Sequence, residues 1–320
     1  MTTTGKGGPP GRIGTTDVEC LENAVDVLRA LDYRQGGAFS HDAVHVVKSV
    51  SLLLNWGSVP GALRPRLLTV LADLHNLLGW TEFDIGRRIP ARIRFDRALG
   101  LAAEAGNDNL VANIRYRLGR LALHHDDLED GLSQLRHGQA AAERSGSRRA
   151  RAILTVNEAW ALAKTGDERA TLACLARAEC QFESAETWAP AHPWEAFFGT
   201  TDMAAMRGTV LTELARTVAS RHSDEAIARL RDAVDGYGAE MSRSLALTLI
   251  MLAQNHALQG DFDEAVRTGS EALDLARGLG SIRTKDRLGP LAALLRGHAT
   301  DPASRDLLHR IDRYRAEPGP

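Results

Sequence analysis

One pattern, written four times over, constrains this 320-residue chain more than any other feature. An apolar run at helical spacing ends in a turn built on Gly, Asp or both, and a second helical run opens with small residues. The first copy has Leu78-Gly79, then Gly86, Ala91, Phe95 and Ala98. The second has Leu118-Gly119, then Asp126-Asp127, Gly131, Leu135 and Gly138. The third runs through Trp160 to Gly166-Asp167 and on to Ala170, Cys174 and Ala178. The fourth has Leu252-Ala253, then Gly260-Asp261-Phe262, Ala265 and Ala272. A degenerate copy turns near Arg221-His222 and restarts at Asp224-Glu225-Ala226. Such recurrence describes helix hairpins. Small residues let two helices cross closely, larger apolar ones fill the space between them, and each hairpin leaves a face that only the next can cover. No proline interrupts the chain between Pro90 and Pro190 or between Pro193 and Pro290, and no alternating β-branched run reads as a strand.

The expected fold is therefore all-α, a helix-hairpin solenoid. Its unit resembles the tetratricopeptide repeat, stacked as a right-handed superhelix with a concave inner face; the spacing of about 40 residues exceeds the usual 34 or so and predicts longer helices. Residues 1–16 read as a disordered tail, 17–300 as the solenoid and 301–320 as a C-terminal helix and tail. Asp17 reads as an N-cap, Gly36-Gly37 as a break, and a second helix is expected from about Ser40. The segment WAPAHPWEAFFGT, with Pro190 and Pro193 around two tryptophans, reads as a loop packed on the solenoid.

Charge and cysteine usage narrow the function classes. A formal net charge of −2 supplies no global field for nucleic acid or anionic membranes. Cys20, Cys174 and Cys180 form no CxxC pair, as expected of buried thiols in a reducing compartment, with Cys174 and Cys180 placed on the apolar face of a helix. No apolar run reaches the roughly 18 residues of a membrane span, and a cytoplasmic location is expected. GxSxG, HExxH, GxGxxG and P-loop signatures are absent.

Projecting the inward-facing positions of the first helix of each hairpin gives the expected groove. Asp73, Asn76, Trp80, Phe83 and Asp84 come from the first copy; Asn113, Tyr116, Arg117, Arg120 and His124 from the second. Asn157, Trp160 and Lys164 follow from the third, and Gln254 from the last. Aromatic rings, amides and cations along one groove suit a peptide, an amphipathic small molecule or a protein partner. Arginines offer bidentate clamps for carboxylate or phosphate.

The expectation is of no cofactor, with one alternative. His41 and His45 lie four apart on one helical face, and His75, joined by Asp84 or His124, could complete a transition-metal site and make the chain a metal-dependent biosynthetic enzyme. The run His124-His125-Asp126-Asp127 is read as turn and N-cap chemistry.

Several stretches resemble the helical repeat region of actinobacterial helix-turn-helix regulators of the xenobiotic-response-element family. They are LRALDYRQGG, ADLHNLLGWTEFDIG, FDRALGLAAEAG, HPWEAFF, MSRSLALTLIMLAQNHALQGDFDEAV and LGSIRTKDRL. In such regulators a DNA-binding domain precedes the repeats. Here only about 16 residues do, and no run reads as a recognition helix, so direct DNA binding is not carried over. The resemblance implies a freestanding sensor or interaction module linked to secondary metabolism. Residues 301–315 are a candidate surface for a homo-oligomer.

Overall fold

The computed structural model describes residues 13–35, 59–186, 191–238, 241–279 and 281–317. Its turns keep a strict period. Gly86, Gly106, Asp126, Gly146 and Gly166 all have positive φ, between 57° and 83°, and stand 20 residues apart. A left-handed residue reverses the chain at a helix end, and glycine does so without a Cβ penalty. After four of the five comes a residue whose side chain caps the next helix. Asn107 accepts from the Leu110 amide at 3.0 Å, Asp127 from Asp130 at 3.3 Å, Ser147 from Ala150 at 3.0 Å and Asp167 from Ala170 at 2.9 Å. The recurring Gly-Asp signal is thus two devices in sequence, a helix stop and a helix start.

Among the described residues the chain forms α1 (Thr15–Gln35) and six hairpins. They are α2 (Arg64–Asp84) with α3 (Arg88–Glu104), α4 (Asp108–His124) with α5 (Leu128–Arg144), and α6 (Arg148–Thr165) with α7 (Glu168–Glu186). Then follow α8 (Thr200–Thr217) with α9 (Ser223–Gly236), α10 (Ser242–Leu258) with α11 (Phe262–Arg277), and α12 (Ile282–Arg296) with α13 (Pro302–Ala316). Among the described residues there is no strand, and the architecture is an all-helical solenoid. The first helices of successive hairpins also touch one another: α2 on α4, α4 on α6, α6 on α8, α8 on α10, α10 on α12. They form the inner layer. Within a hairpin the helices approach through glycine: a Cβ at Gly119 would lie 2.8 Å from Leu135, a side chain with no exposed surface. Burying one such leucine contributes about 1.5–3 kcal/mol.

Several expectations are adjusted. Ile13 is buried beside Val18 and Leu67, so ordered chain begins before residue 16. The first helix starts at Thr15, and Asp17 lies within its first turn, accepting from the Gly14 amide at 2.9 Å. The boundary at 300 falls inside a hairpin. Leu307, Leu308, Ile311 and Tyr314 turn the apolar face of α13 into the core, against α11 and α12. Of the cysteines only Cys174 is buried; Cys20 and Cys180 are exposed. Burial pushes the Cys174 thiol up to about 12. The break at Gly36-Gly37 and the helix expected from Ser40 lie outside the described residues.

Candidate functional site

The inner layer converges on one cavity. With 3.6 residues per turn, α4 aims Asn113, Tyr116, Arg117 and Arg120 to a single side, where Trp80 of α2 and Asn157 of α6 meet them. Asp202, Met206 and Thr209 of α8 face them, together with Trp194 and Phe197 of the segment 191–199. Arg243, Leu247 and Met251 of α10 and Arg283 and Arg287 of α12 complete the wall. The space these side chains surround is about 160 Å³.

Two layers of contact give the cavity its character. One is aromatic: Trp80 and Tyr116 stack with centroids 6.4 Å apart, and Tyr116 and Trp194 at 6.3 Å. The other is cationic. Arg283 and Arg117 lie 4.8 and 5.1 Å over the Trp80 ring, and Arg287 and Arg120 lie 4.5 and 5.0 Å over Trp160. Burial, together with repulsion from Arg120 and Arg283, lowers Arg287 to about 10 against the attraction of Glu213. Burial likewise lowers Arg283. Across the cavity burial raises Asp202 to about 6, opposed by hydrogen bonds from the Gly199 amide at 3.2 Å and the Tyr237 hydroxyl at 3.2 Å.

The cavity exists because the solenoid curls until its ends meet. Asp84, at the end of α2, accepts from Arg243 Nη1 of α10 and from Arg283 Nε of α12, each at 2.6 Å. His124 Nε2 lies 2.7 Å from Asp286, and Gly86 stands against Ile282. The segment 191–199 is pinned from inside: Trp194 Nε1 donates to Asn109 Oδ1 at 2.7 Å, and Glu195 accepts from Asn109 and from Ser147.

The expected groove residues do not all reach the cavity. Trp80, Asn113, Tyr116, Arg117, Arg120 and Asn157 line the cavity. Asp84 and His124 serve the ring closure described above. Trp160, 3% exposed, lies behind Arg120 and Arg287 and donates from Nε1 to Glu213 at 3.3 Å. Lys164 pairs with Asp126 at 2.7 Å, Gln254 donates to the Arg287 carbonyl at 2.9 Å, and Asp73 pairs with Arg29. Asn76 donates to Asn113 Oδ1, and Phe83 lies edge-on to His124.

His41 and His45 lie outside the described residues. His75 has cationic company: its Nδ1 is 3.4 Å from Arg94 Nη1, and burial with the charges of Arg94 and Arg97 pushes it down to about 4. Asp84 accepts from Arg243 and Arg283, and His124 lies 2.7 Å from Asp286. Among the described residues no group of three or more His, Cys, Asp or Glu side chains could hold a metal ion.

The groove projection missed the part of the cavity wall that α8, α10, α12 and the segment 191–199 supply. Arg283 and Arg287 are four apart on α12, within the stretch LGSIRTKDRL, and Trp194 and Phe197 lie in HPWEAFF. The i, i+4 arginine pair was the available signal. It carried no weight without a repeat register to assign α12 as an inner helix.

No family model matches the chain, and no curated protein matches it. Solved structures do. One is a Rap protein complexed with competence and sporulation factor, which is similar over 94% of this chain and 87% of its own, with a TM-score of 0.59 and 12% identity. At that identity the similarity concerns the fold. No helix among the described residues is long and apolar enough to cross a membrane.

Proposed function

We propose that this chain is a regulatory binding module whose concave cavity takes a short peptide or a similarly amphipathic small molecule. The observation that carries the reading is the cavity itself: the inner helices of six hairpins line one concave space in which Trp80, Tyr116 and Trp194 stack and the arginines of α4, α10 and α12 converge. Ligand sites have this character, mostly apolar walls with a few fixed polar groups. Its Rap-protein neighbour, crystallised with a bound factor, supports carrying ligand binding over to the shared fold.

Signalling would follow from the closure. A ligand that prefers one curl of the solenoid over another shifts the ring held by Asp84, and only that difference in affinity can drive the change. We further propose that the output is exerted in the cytoplasm on a partner protein, and the resemblance to actinobacterial regulators links it to secondary metabolism. Selection from a random heptapeptide library tests the reading, run in parallel on the wild type and on Thr209→Trp, whose indole fills the cavity. Sequences enriched on the wild type alone support it; equal enrichment on both proteins, or none on either, sinks it.

A further inference from the structure

The arginines of the cavity are unequally matched by carboxylates. Arg283 shares Asp84 with Arg243, each at 2.6 Å. Among the described residues the carboxylate that Arg287 reaches is Glu213, at 3.8 Å, and that carboxylate also serves Arg216 at 2.8 Å and the Trp160 indole. Arg120 has no carboxylate partner among the described residues; its Nη1 donates to Asn157 Oδ1 at 3.1 Å and faces Met206 Sδ at 3.8 Å. Arg287 Nη1 has a sulfur as well, Met251 Sδ at 3.5 Å. Two guanidinium groups thus stand over one indole, Trp160, with a distant shared anion and soft neutral partners. Among the described residues the carboxylate on the cavity wall is Asp202, which is engaged by the Tyr237 hydroxyl and the Gly199 amide.

A buried cation without a matching anion is costly, and a guanidinium fork is shaped for a two-oxygen acceptor. The structure supplies the remainder of such a ligand's environment too, in Trp194, Phe197, Met206 and Leu247. We infer that the ligand is an amphipathic anion whose carboxylate or phosphate is held between Arg120 and Arg287 above Trp160, its apolar part lying against the segment 191–199. The inference rests on the reading of the cavity as a ligand site and specifies the ligand's chemistry.

Two fluorescent probes of one skeleton separate the questions: 8-anilinonaphthalene-1-sulfonate, and N-phenyl-1-naphthylamine, which lacks the sulfonate. The sulfonated probe should bind the wild type roughly tenfold or more tightly than the neutral one, as expected of a charge-assisted hydrogen bond. Arg120→Gln and Arg287→Gln should each remove most of that advantage and leave the neutral probe unchanged, while Arg120→Lys, keeping the charge, retains part of it. Thermal melts of the same variants identify any loss due to unfolding, and the lysine variant then carries the comparison. Displacement of the sulfonated probe by octanoate or by octyl phosphate identifies which anion is preferred. Equal affinity for the two probes, with both lost in Thr209→Trp, overturns the anion assignment and leaves the cavity reading standing. Binding of both probes undiminished in Thr209→Trp places them elsewhere and overturns the cavity reading itself.

Discussion

Asp84 and Arg283 are 199 residues apart in the chain and 2.6 Å apart in the fold. Both are almost wholly buried, with side-chain exposures of 1% and 8%, and the bond joins the first complete hairpin to the last. A solenoid whose repeats touch only their neighbours would leave those ends apart. Here a long-range buried pair closes the arc around the cavity.

Removing the carboxylate tests that closure. Asp84→Asn removes the carboxylate that Arg283 meets in the buried interior, and breaking a buried pair in this way costs about 3–5 kcal/mol. Urea denaturation should show the loss, and small-angle scattering should show a larger radius of gyration. An unchanged midpoint with unchanged dimensions would mean that the ring closes without this pair.

One substitution at two glycines should have opposite effects. A Cβ at Gly100 or at Gly106 meets no atom within 4 Å, so packing does not distinguish them. Gly100 lies inside α3, where alanine stabilises by about 0.8–1 kcal/mol. Gly106 has φ of +69°, and alanine there costs about 1–2 kcal/mol. Thermal melts of the two variants should bracket the wild type; a shared direction would contradict the 20-residue turn register.

His75 should make the protein acid-sensitive. Its folded value of about 4 lies below the ordinary 6.5, so the unfolded chain takes up the proton first. Stability from this group is complete above about pH 6.5 and is lost as pH falls toward 4, by up to about 3 kcal/mol. His75→Gln should flatten that limb of the stability curve; an identical slope in the variant would show that other groups carry it.

Asp202 works in the opposite sense. Burial raises it from 3.8 to about 6, so the folded state binds its proton more tightly. Its favourable contribution is present below about pH 4 and disappears as pH rises to about 6. Asp202→Asn should therefore gain on the wild type by about 1–2 kcal/mol across that window, after allowance for partial solvent screening. Denaturation at pH 4 and at pH 7 measures the difference directly.

Trp194 anchors the segment that lines one side of the cavity. It is 4% exposed and bonded to Asn109, so Trp194→Ala should cost about 3–5 kcal/mol and free the segment. Chymotrypsin should then cut at Phe197 or Phe198 under native conditions, where the wild type resists. Equal resistance in the variant would mean that the Glu195 contacts to Asn109 and Ser147 suffice.

Local chemistry explains what could be read from the residues alone. The hairpins, their order and their turns follow from short-range rules: Gly106, Gly146 and Gly166 accept positive φ, and Asn107, Ser147 and Asp167 satisfy amides three residues on. Helical periodicity also put Trp80, Asn113, Tyr116, Arg117, Arg120 and Asn157 on one inner face, because their register is set within a single hairpin. By itself, then, the sequence determined an all-helical repeat and the part of the cavity wall that α2, α4 and α6 supply. Only the tertiary structure decided that the superhelix curls until α10 and α12 meet α2. That curvature is the sum of small rotations at each hairpin interface, and no local pattern encodes the sum. It took Asp84 for ring closure, set Trp160 behind the arginines, and brought Arg283 and Arg287 opposite Arg120, where separate stretches of chain form one charged site.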